Sequence, residues 1–300
     1  MTDSISQTAP RALSLAISLR RVGLKITLSG LSALAILASV ASTATSAAAD
    51  GFVARHGMSG AQYQTAFDTY TSKGYRLSDV SSYTVHGTPY YAAIWRKQGG
   101  GAWVARHGMG PNRYQSQFDT YTAQGYAPAF LDAMSTPKGP RFAAQWTKGG
   151  KGAWVARHGL SSSAYQAEFD KWVGKGYRLV DVAGYSQNGQ AMYSAIWKKQ
   201  GGGAWVARHD MSPAQYQTAF DKWTAQGYRP VHVDGFDVNG KTKFAAIWVK
   251  KSGAYVARHG LSGAQYQAEF DKWAAKGYTL HDISGYGTPN GARYAAIWTK

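Results

Sequence analysis

The 300-residue chain contains no cysteine. Disulfides, thiolate metal ligands and a lipid-bearing cysteine behind an export signal are all excluded. Acidic residues are scarce: 16 Asp and Glu stand against 33 Lys and Arg, a formal charge of +17. Long apolar runs are missing too. The one candidate, Ile26 to about Ser42, is rather short for a membrane span. No phosphate-cradling P-loop occurs, because each Gly-rich stretch leads into a strand pattern rather than a helix.

What is present is a repeat. Five segments, Phe52–Gly57, Trp103–Gly108, Trp154–Gly159, Trp205–Asp210 and Tyr255–Gly260, share one pattern. Their arginines, Arg55, Arg106, Arg157, Arg208 and Arg258, lie 51, 51, 51 and 50 residues apart. A fixed period of this length marks a repeat architecture. The units read 52–102, 103–153, 154–204, 205–254 and 255–300, within a single domain over 50–300.

Residues 1–49 have the layout of a cleaved export signal: a basic lead with Arg11, Arg20, Arg21 and Lys25, the apolar run, then Ala47-Ala48-Ala49. The Arg20-Arg21 pair resembles a twin-arginine signal, although Leu19 and Gly23 depart from the usual pattern and leave the ordinary secretory route open. The expected location is periplasmic or secreted, with no membrane span after cleavage. Residues 1–49 hold four basic residues and one acid, so the +17 falls by three, to +14, for the remainder. A basic surface favours polyanionic partners. Many of the lysines, however, stand at helix C-termini (Lys73, Lys175, Lys276) or in Gly-rich turns, where solvation and the helix dipole explain them. No nucleic acid partner is expected, and the chain reads as a monomer.

Within the third unit, Trp154 to His158 alternates with a period of two and reads as a strand. Ser161 is placed to cap the helix that follows, as are Ser59, Ser212 and Ser262; Gln62, Gln215 and Gln265 complete capping boxes. Tyr165, Phe169 and Trp172 form the helix's apolar stripe. Gly176 ends the helix, as Gly74, Gly125, Gly227 and Gly277 end the others. A second strand and a third follow, joined by Asn188-Gly189, with Asn239-Gly240 and Asn290-Gly291 equivalent. Pro128 and Pro230 place the second strand at a sheet edge.

Strand three is expected to pair with strand one of the next unit, and the last strand three, at Trp298, with the first strand one, at Phe52. That pairing would remove both open edges. The expected fold is mainly β with one helix per repeat, an α+β repeat closed into a five-bladed β-propeller-like ring.

The recurring Val-Ala-Arg-His-Gly, Phe-Asp-Lys-Trp, Gly-Tyr-Arg-Leu and Ala-Ala-Ile-Trp motifs, in the same order over Phe52 to Lys300, resemble the bacterial tandem repeats found beside β-lactamase-like serine hydrolases. They are similar to the N-terminal domain of polyglycine hydrolases. The resemblance implies a left-handed propeller. Catalysis in that family belongs to the hydrolase domain, for which this chain offers no segment, so no catalytic residue is carried over.

The candidate ligand-binding residues are the Arg-His pairs Arg55-His56, Arg106-His107, Arg157-His158, Arg208-His209 and Arg258-His259. Set near a Trp or Tyr, such pairs suit a sugar hydroxyl or a carboxylate, and five weak sites would act by avidity. The competing structural role pairs each arginine with the helix aspartate of its unit: Asp68, Asp119, Asp170, Asp221 or Asp271. Arg-His-Gly also resembles the histidine phosphatases, but the supporting cluster that chemistry needs is missing. No cofactor and no metal are expected, since no unit shows ligand spacing. The aromatics read as core. Asp79, Phe130, Asp181, His232 and Asp282, which differ between units, read as loop or rim. The expected task is non-catalytic binding of a glycan, cell-wall material or an extended peptide; only the family resemblance implies a Gly-rich one. The alternatives are a phosphohydrolase and an accessory partner of a separate serine hydrolase.

Overall fold

The computed structural model describes residues 51–150 and 152–300. The expected export signal, with Arg20 and Arg21, lies outside the described residues. Among those described, no helix is long and apolar enough to cross a membrane.

Each unit is strand, helix, strand, strand. The first supplies β1 (Phe52–Met58), α1 (Gly60–Ser72), β2 (Arg76–Val85) and β3 (Thr88–Arg96). The second supplies β4 (Trp103–Met109), α2 (Pro111–Ala123), β5 (Tyr126–Met134) and β6 (Arg141–Lys148). The third supplies β7 (Trp154–Ser161), α3 (Ser162–Gly174), β8 (Arg178–Gln187) and β9 (Gln190–Lys198). The fourth supplies β10 (Trp205–Met211), α4 (Pro213–Ala225), β11 (Tyr228–Val238) and β12 (Lys241–Lys250). The fifth supplies β13 (Tyr255–Leu261), α5 (Gly263–Ala275), β14 (Thr279–Thr288) and β15 (Gly291–Thr299).

The helix boundaries follow the capping chemistry. Ser59, Ser212 and Ser262 each accept the N–H of the glutamine three residues on, whose side chain returns the bond. Ser161 caps without the return bond, and Gly110 precedes Pro111. Asn188 and Asn239 have φ of 52° and 53° with positive-φ glycines behind them, as tight hairpins require.

The strand pairing corrects the expectation. Every sheet belongs to one unit and has the order β1-β3-β2 or its equivalent, antiparallel throughout. Phe52 lies opposite Arg96 of its own unit, and Thr299 opposite Tyr255. The helical crossover leaves a gap between strands one and two, and the hairpin returns strand three into it. The Gly-rich segment instead carries the chain between sheets. Arg76 donates to Gly101 O at 2.7 Å and Arg178 to Gly203 O at 2.5 Å, fastening two of these crossovers. Pro128 and Pro230 do lie in edge strands, β5 and β11.

Five cores lie between the sheets rather than inside them. The first unit's Tyr63, Leu77 and Trp95 pack with Phe130, Met134 and Ala143 of the second. The second unit meets Ala156, Tyr185 and Ile196 of the third, and the later pairs repeat this. The fifth unit's Tyr266, Phe270 and Trp298 share a core with Phe52, Ala54, Tyr83 and Ile94 of the first. Trp95, Trp146, Trp197, Trp248 and Trp298 are all fully buried. Each strand two touches two others: β2 meets β5 and β14, and β8 and β11 bridge the remainder.

Candidate functional site

Strand two of every unit carries a bulge. The register slips between Leu77 and Asp79, and likewise at Pro128/Phe130, Leu179/Asp181, Pro230/His232 and Leu280/Asp282. A bulge re-aims the residues beyond it. Two rows of side chains follow: Asp79, Phe130, Asp181, His232 and Asp282, then Ser81, Asp132, Ala183, Asp234 and Ser284. These rows are not rim, as the variation between units suggests. Asp132, Asp181, Asp234, Asp282, Ser81 and Ser284 are buried.

The rows stitch neighbouring units together. The carboxylate of one unit accepts a main-chain N–H of the unit before it. Leu131 N donates to Asp181 at 2.7 Å, Val233 N to Asp282 at 2.9 Å, and Ile283 N to Asp79 at 3.0 Å. In the second row Ser82 N donates to Asp132 at 2.6 Å, Gly184 N to Asp234 at 2.6 Å, Gly235 N to Ser284 Oγ at 2.9 Å and Gly285 N to Ser81 Oγ at 2.9 Å. The strand-two edges form no ladder with one another and are bridged instead by these short acceptors.

Burial pushes the Asp79 and Asp132 carboxyls well above the ordinary carboxylate range, and the neighbouring Asp282 and Asp234 add to the effect. Burial raises Asp181 as well, opposed by His232. Asp234 is pushed up to about 7, again by burial first. Burial alone would lower His232. Asp282, 2.9 Å from Nδ1, and Asp181, 4.0 Å from Nε2, overcome it and hold the imidazole well above its usual value. The space between the rows is about 10 Å³, room for one water at most. Among the described residues no cluster of three His, Asp or Glu could hold a metal ion.

Beyond the rows, toward the β2–β3 hairpins, the space widens into a funnel of about 440 Å³. All five units line it. Thr84, Ser135, Thr136, Ser186 and Thr288 supply hydroxyls, and the buried Tyr83, Tyr185, Phe236 and Tyr286 form its base. The turns are tied to one another: Ser135 Oγ accepts from Ser186 N at 2.7 Å, Asn239 Nδ2 donates to Gly189 O at 3.1 Å, and His86 Nε2 donates to Pro289 O at 3.1 Å. Asp237 Oδ1 accepts from Gly240 N at 3.0 Å, while its buried Oδ2 has no partner among the described residues. Ser135-Thr136-Pro137-Lys138 has the Ser-x-x-Lys spacing of a hydrolase nucleophile. It forms a hairpin turn instead of a helix start, and Ser135 Oγ also donates to Ser186 O at 2.8 Å.

The Arg-His pairs lie elsewhere, at a bulge in strand one. The register slips between Arg55 and Met58 and at the four equivalents. Gly57, Gly108, Gly159 and Gly260 take φ between 63° and 72° there, and Asp210 takes 56° in the fourth unit. Each histidine then wedges edge-on between two rings of the preceding unit. His107 meets Tyr63 and Tyr91, and His56 meets Tyr266 and Tyr294. Burial lowers all five histidines, His56 and His107 to about 4. His158 and His259 bond the helix glutamines Gln115 and Gln217, both at 2.9 Å.

The expected Arg–Asp pairing is also corrected. Asp68, Asp119, Asp170, Asp221 and Asp271 each accept from the glutamine one helical turn earlier, at 2.8 Å. The arginines lie over aromatic rings two residues beyond those aspartates: Arg55 over Tyr70, Arg106 over Tyr121, Arg157 over Trp172, Arg208 over Trp223 and Arg258 over Trp273. Arg157 and Arg258 also pair with Glu168 and Glu269, at 3.2 and 3.5 Å. A long guanidinium reaches the ring face, while the short aspartate points outward along the helix.

No curated protein matches the chain at a significant level. The family model described as "Polyglycine hydrolase-like, structural repeat" matches five times, at residues 49–98, 100–149, 151–200, 202–251 and 252–300. Those matches cover most of the sequence and fall on the five structural units, so the chain belongs to the polyglycine hydrolase-like structural repeat family.

Proposed function

We propose that this chain is a non-catalytic recognition module: a closed five-bladed ring whose funnel takes an extended, neutral chain, with a Gly-rich peptide as the favoured ligand. The unpartnered Oδ2 of Asp237 carries this reading. Asp237 lines the funnel, and its shielded Oδ2 lacks a donor, which is costly; a small side-chain rotation would present it to a ligand N–H in the funnel. The 10 Å³ space below makes the funnel blind, which suits a chain end or a tight bend. A peptide with small side chains leaves its main-chain N–H groups free to reach the hydroxyl oxygens of Thr84, Ser135, Thr136 and Thr288, whose own hydrogens go to carbonyls of the turns, and the family description points the same way. Those hydroxyls are also the observation that favours a glycan as the second reading.

Catalysis is less supported than binding. Each Arg-His histidine is clamped between rings, and each arginine faces its helix, so a phosphate would find neither free. The family description keeps a role beside a separate hydrolase in play, and co-purification tests it. The binding test is an NMR titration of the ¹⁵N-labelled protein with tetraglycine amide and with chitotriose. Amide shifts at Thr84, Ser135, Asp237 and Thr288 with the peptide, lost in Asp237→Ala, are expected. A peptide that moves none of these amides would defeat the proposal.

A further inference from the structure

We infer that the groove between the third and fourth units is a second, off-axis site, built once in the molecule, for a neutral polyhydroxylated ligand such as a hexopyranosyl unit. It does not depend on the funnel.

The first observation is a break in symmetry. At the strand-one bulge four units use glycine, but the fourth uses Asp210, held at φ 56°. A side chain in the left-handed region costs about 1–2 kcal/mol, somewhat less for Asp. The carboxylate pairs with Lys243 at 3.0 Å, but Asp210 and Lys243 are 40% and 28% exposed. A pair so exposed returns about 0–1 kcal/mol, which at best offsets the backbone cost, with the Tyr193 hydroxyl as a further contact of the carboxylate. Non-glycine residues held in this region cluster at ligand sites.

The second observation is convergence. The helix start that reads Ser-Gly-Ala or Ser-Pro-Ala in three other units, and Gly-Pro-Asn in the second, reads Ser161-Ser162-Ser163 in the third. Lys243 supplies a cation, as Arg141 and Arg293 do at the same place in the second and fifth units. The serines and the aspartate depart from the repeat at points far apart in the chain, yet Ser162, Ser163 and Asp210 line one open groove of about 750 Å³ with Lys243, Gln166 and Gln190. His209 Nε2 lies 3.2 Å from Ser162 Oγ at its wall.

The inventory names the ligand class. One carboxylate and one ammonium leave the pair with no net charge, which disfavours an ionic ligand. Asp210 can accept two neighbouring hydroxyls, and Lys243, Ser163 and the glutamine amides can donate to others. The walls carry Ala191 and Val238, with no large aromatic lining the groove. Recognition therefore rests on hydrogen bonds, not on ring stacking.

The test titrates ¹⁵N-labelled protein with maltotriose, cellotriose, xylotriose and chitotriose. We expect at least one to move the amides of Ser162, Ser163, Asp210 and Lys243. Asp210→Gly restores the repeat's own residue, so it should melt above the parent protein and bind that trisaccharide at least about tenfold more weakly. Shifts confined to the funnel amides Thr84 and Ser135 would overturn this site while supporting the axial one. The site is equally overturned if no trisaccharide moves the groove, if Asp210→Gly binds unchanged, or if it melts lower.

Discussion

Gly285 of the fifth unit lies directly under the ring of Tyr83 of the first, so that a Cβ at 285 would overlap the Tyr83 ring. Phe236 covers Gly184 in the same manner, and Tyr286 covers Gly235. One interlock is thus used between the third and fourth units, between the fourth and fifth, and between the fifth and first. Two residues on, Gly287 is pressed against the Thr84 main chain. Gly285→Ala is expected to destabilise by about 1–3 kcal/mol, the range for overpacking. Gly287→Ala meets backbone, which cannot swing aside, and should cost more. Urea denaturation of both variants checks the order.

The histidine wedge gives a second expectation. His107→Ala opens a gap between Tyr63 and Tyr91, while His107→Phe keeps two edge-to-face contacts. The alanine variant should lose about 1–3 kcal/mol and the phenylalanine variant much less. A phosphate-handling histidine would show the opposite pattern in a p-nitrophenyl phosphate assay, with activity lost equally in both.

Two sets of groups set the pH dependence, with opposite signs. Asp234 rises from 3.8 to about 7 in the folded protein. Its contribution is therefore complete below 3.8 and is lost as pH rises through about 7. His56 and His107 fall from 6.5 to about 4, so their contribution is complete above 6.5 and is lost as pH falls through about 4. Both sets therefore act over the same window, about pH 4 to 7, with opposite slopes that partly cancel. Across it Asp234→Asn should make melting temperature rise more steeply with pH and His107→Phe less steeply; melting curves from pH 3 to 9 separate the two.

Much of this was legible in the sequence. Ser59 with Gln62, the Asn188-Gly189 turn and the buried Trp95 series act within a few residues of themselves, so local pattern reveals them. Which strands pair is a different matter. The hairpin signal fixes β2 beside β3, yet nothing local decides whether β1 joins its own unit or another. The stitching rows were hidden for a chemical reason. Aspartate at 79, 181 and 282 and serine at 81 and 284 all do one job, accepting a main-chain N–H, so the repeat tolerates changes of residue type that look like surface drift. Asp237 and the His107 wedge were equally unreadable, because their surroundings come from other units.

The direct test of the interface between the first and fifth units exploits the absence of cysteine from the chain. His86 and Pro289 are joined by a 3.1 Å hydrogen bond, 203 residues apart in sequence. The double variant His86→Cys, Pro289→Cys, treated in dilute solution with a short bismaleimide, should give a single monomeric species with an internal crosslink, seen as a mobility shift on a denaturing gel. Two unlinked, singly modified thiols, or crosslinking only between molecules, would contradict the joining of the two ends.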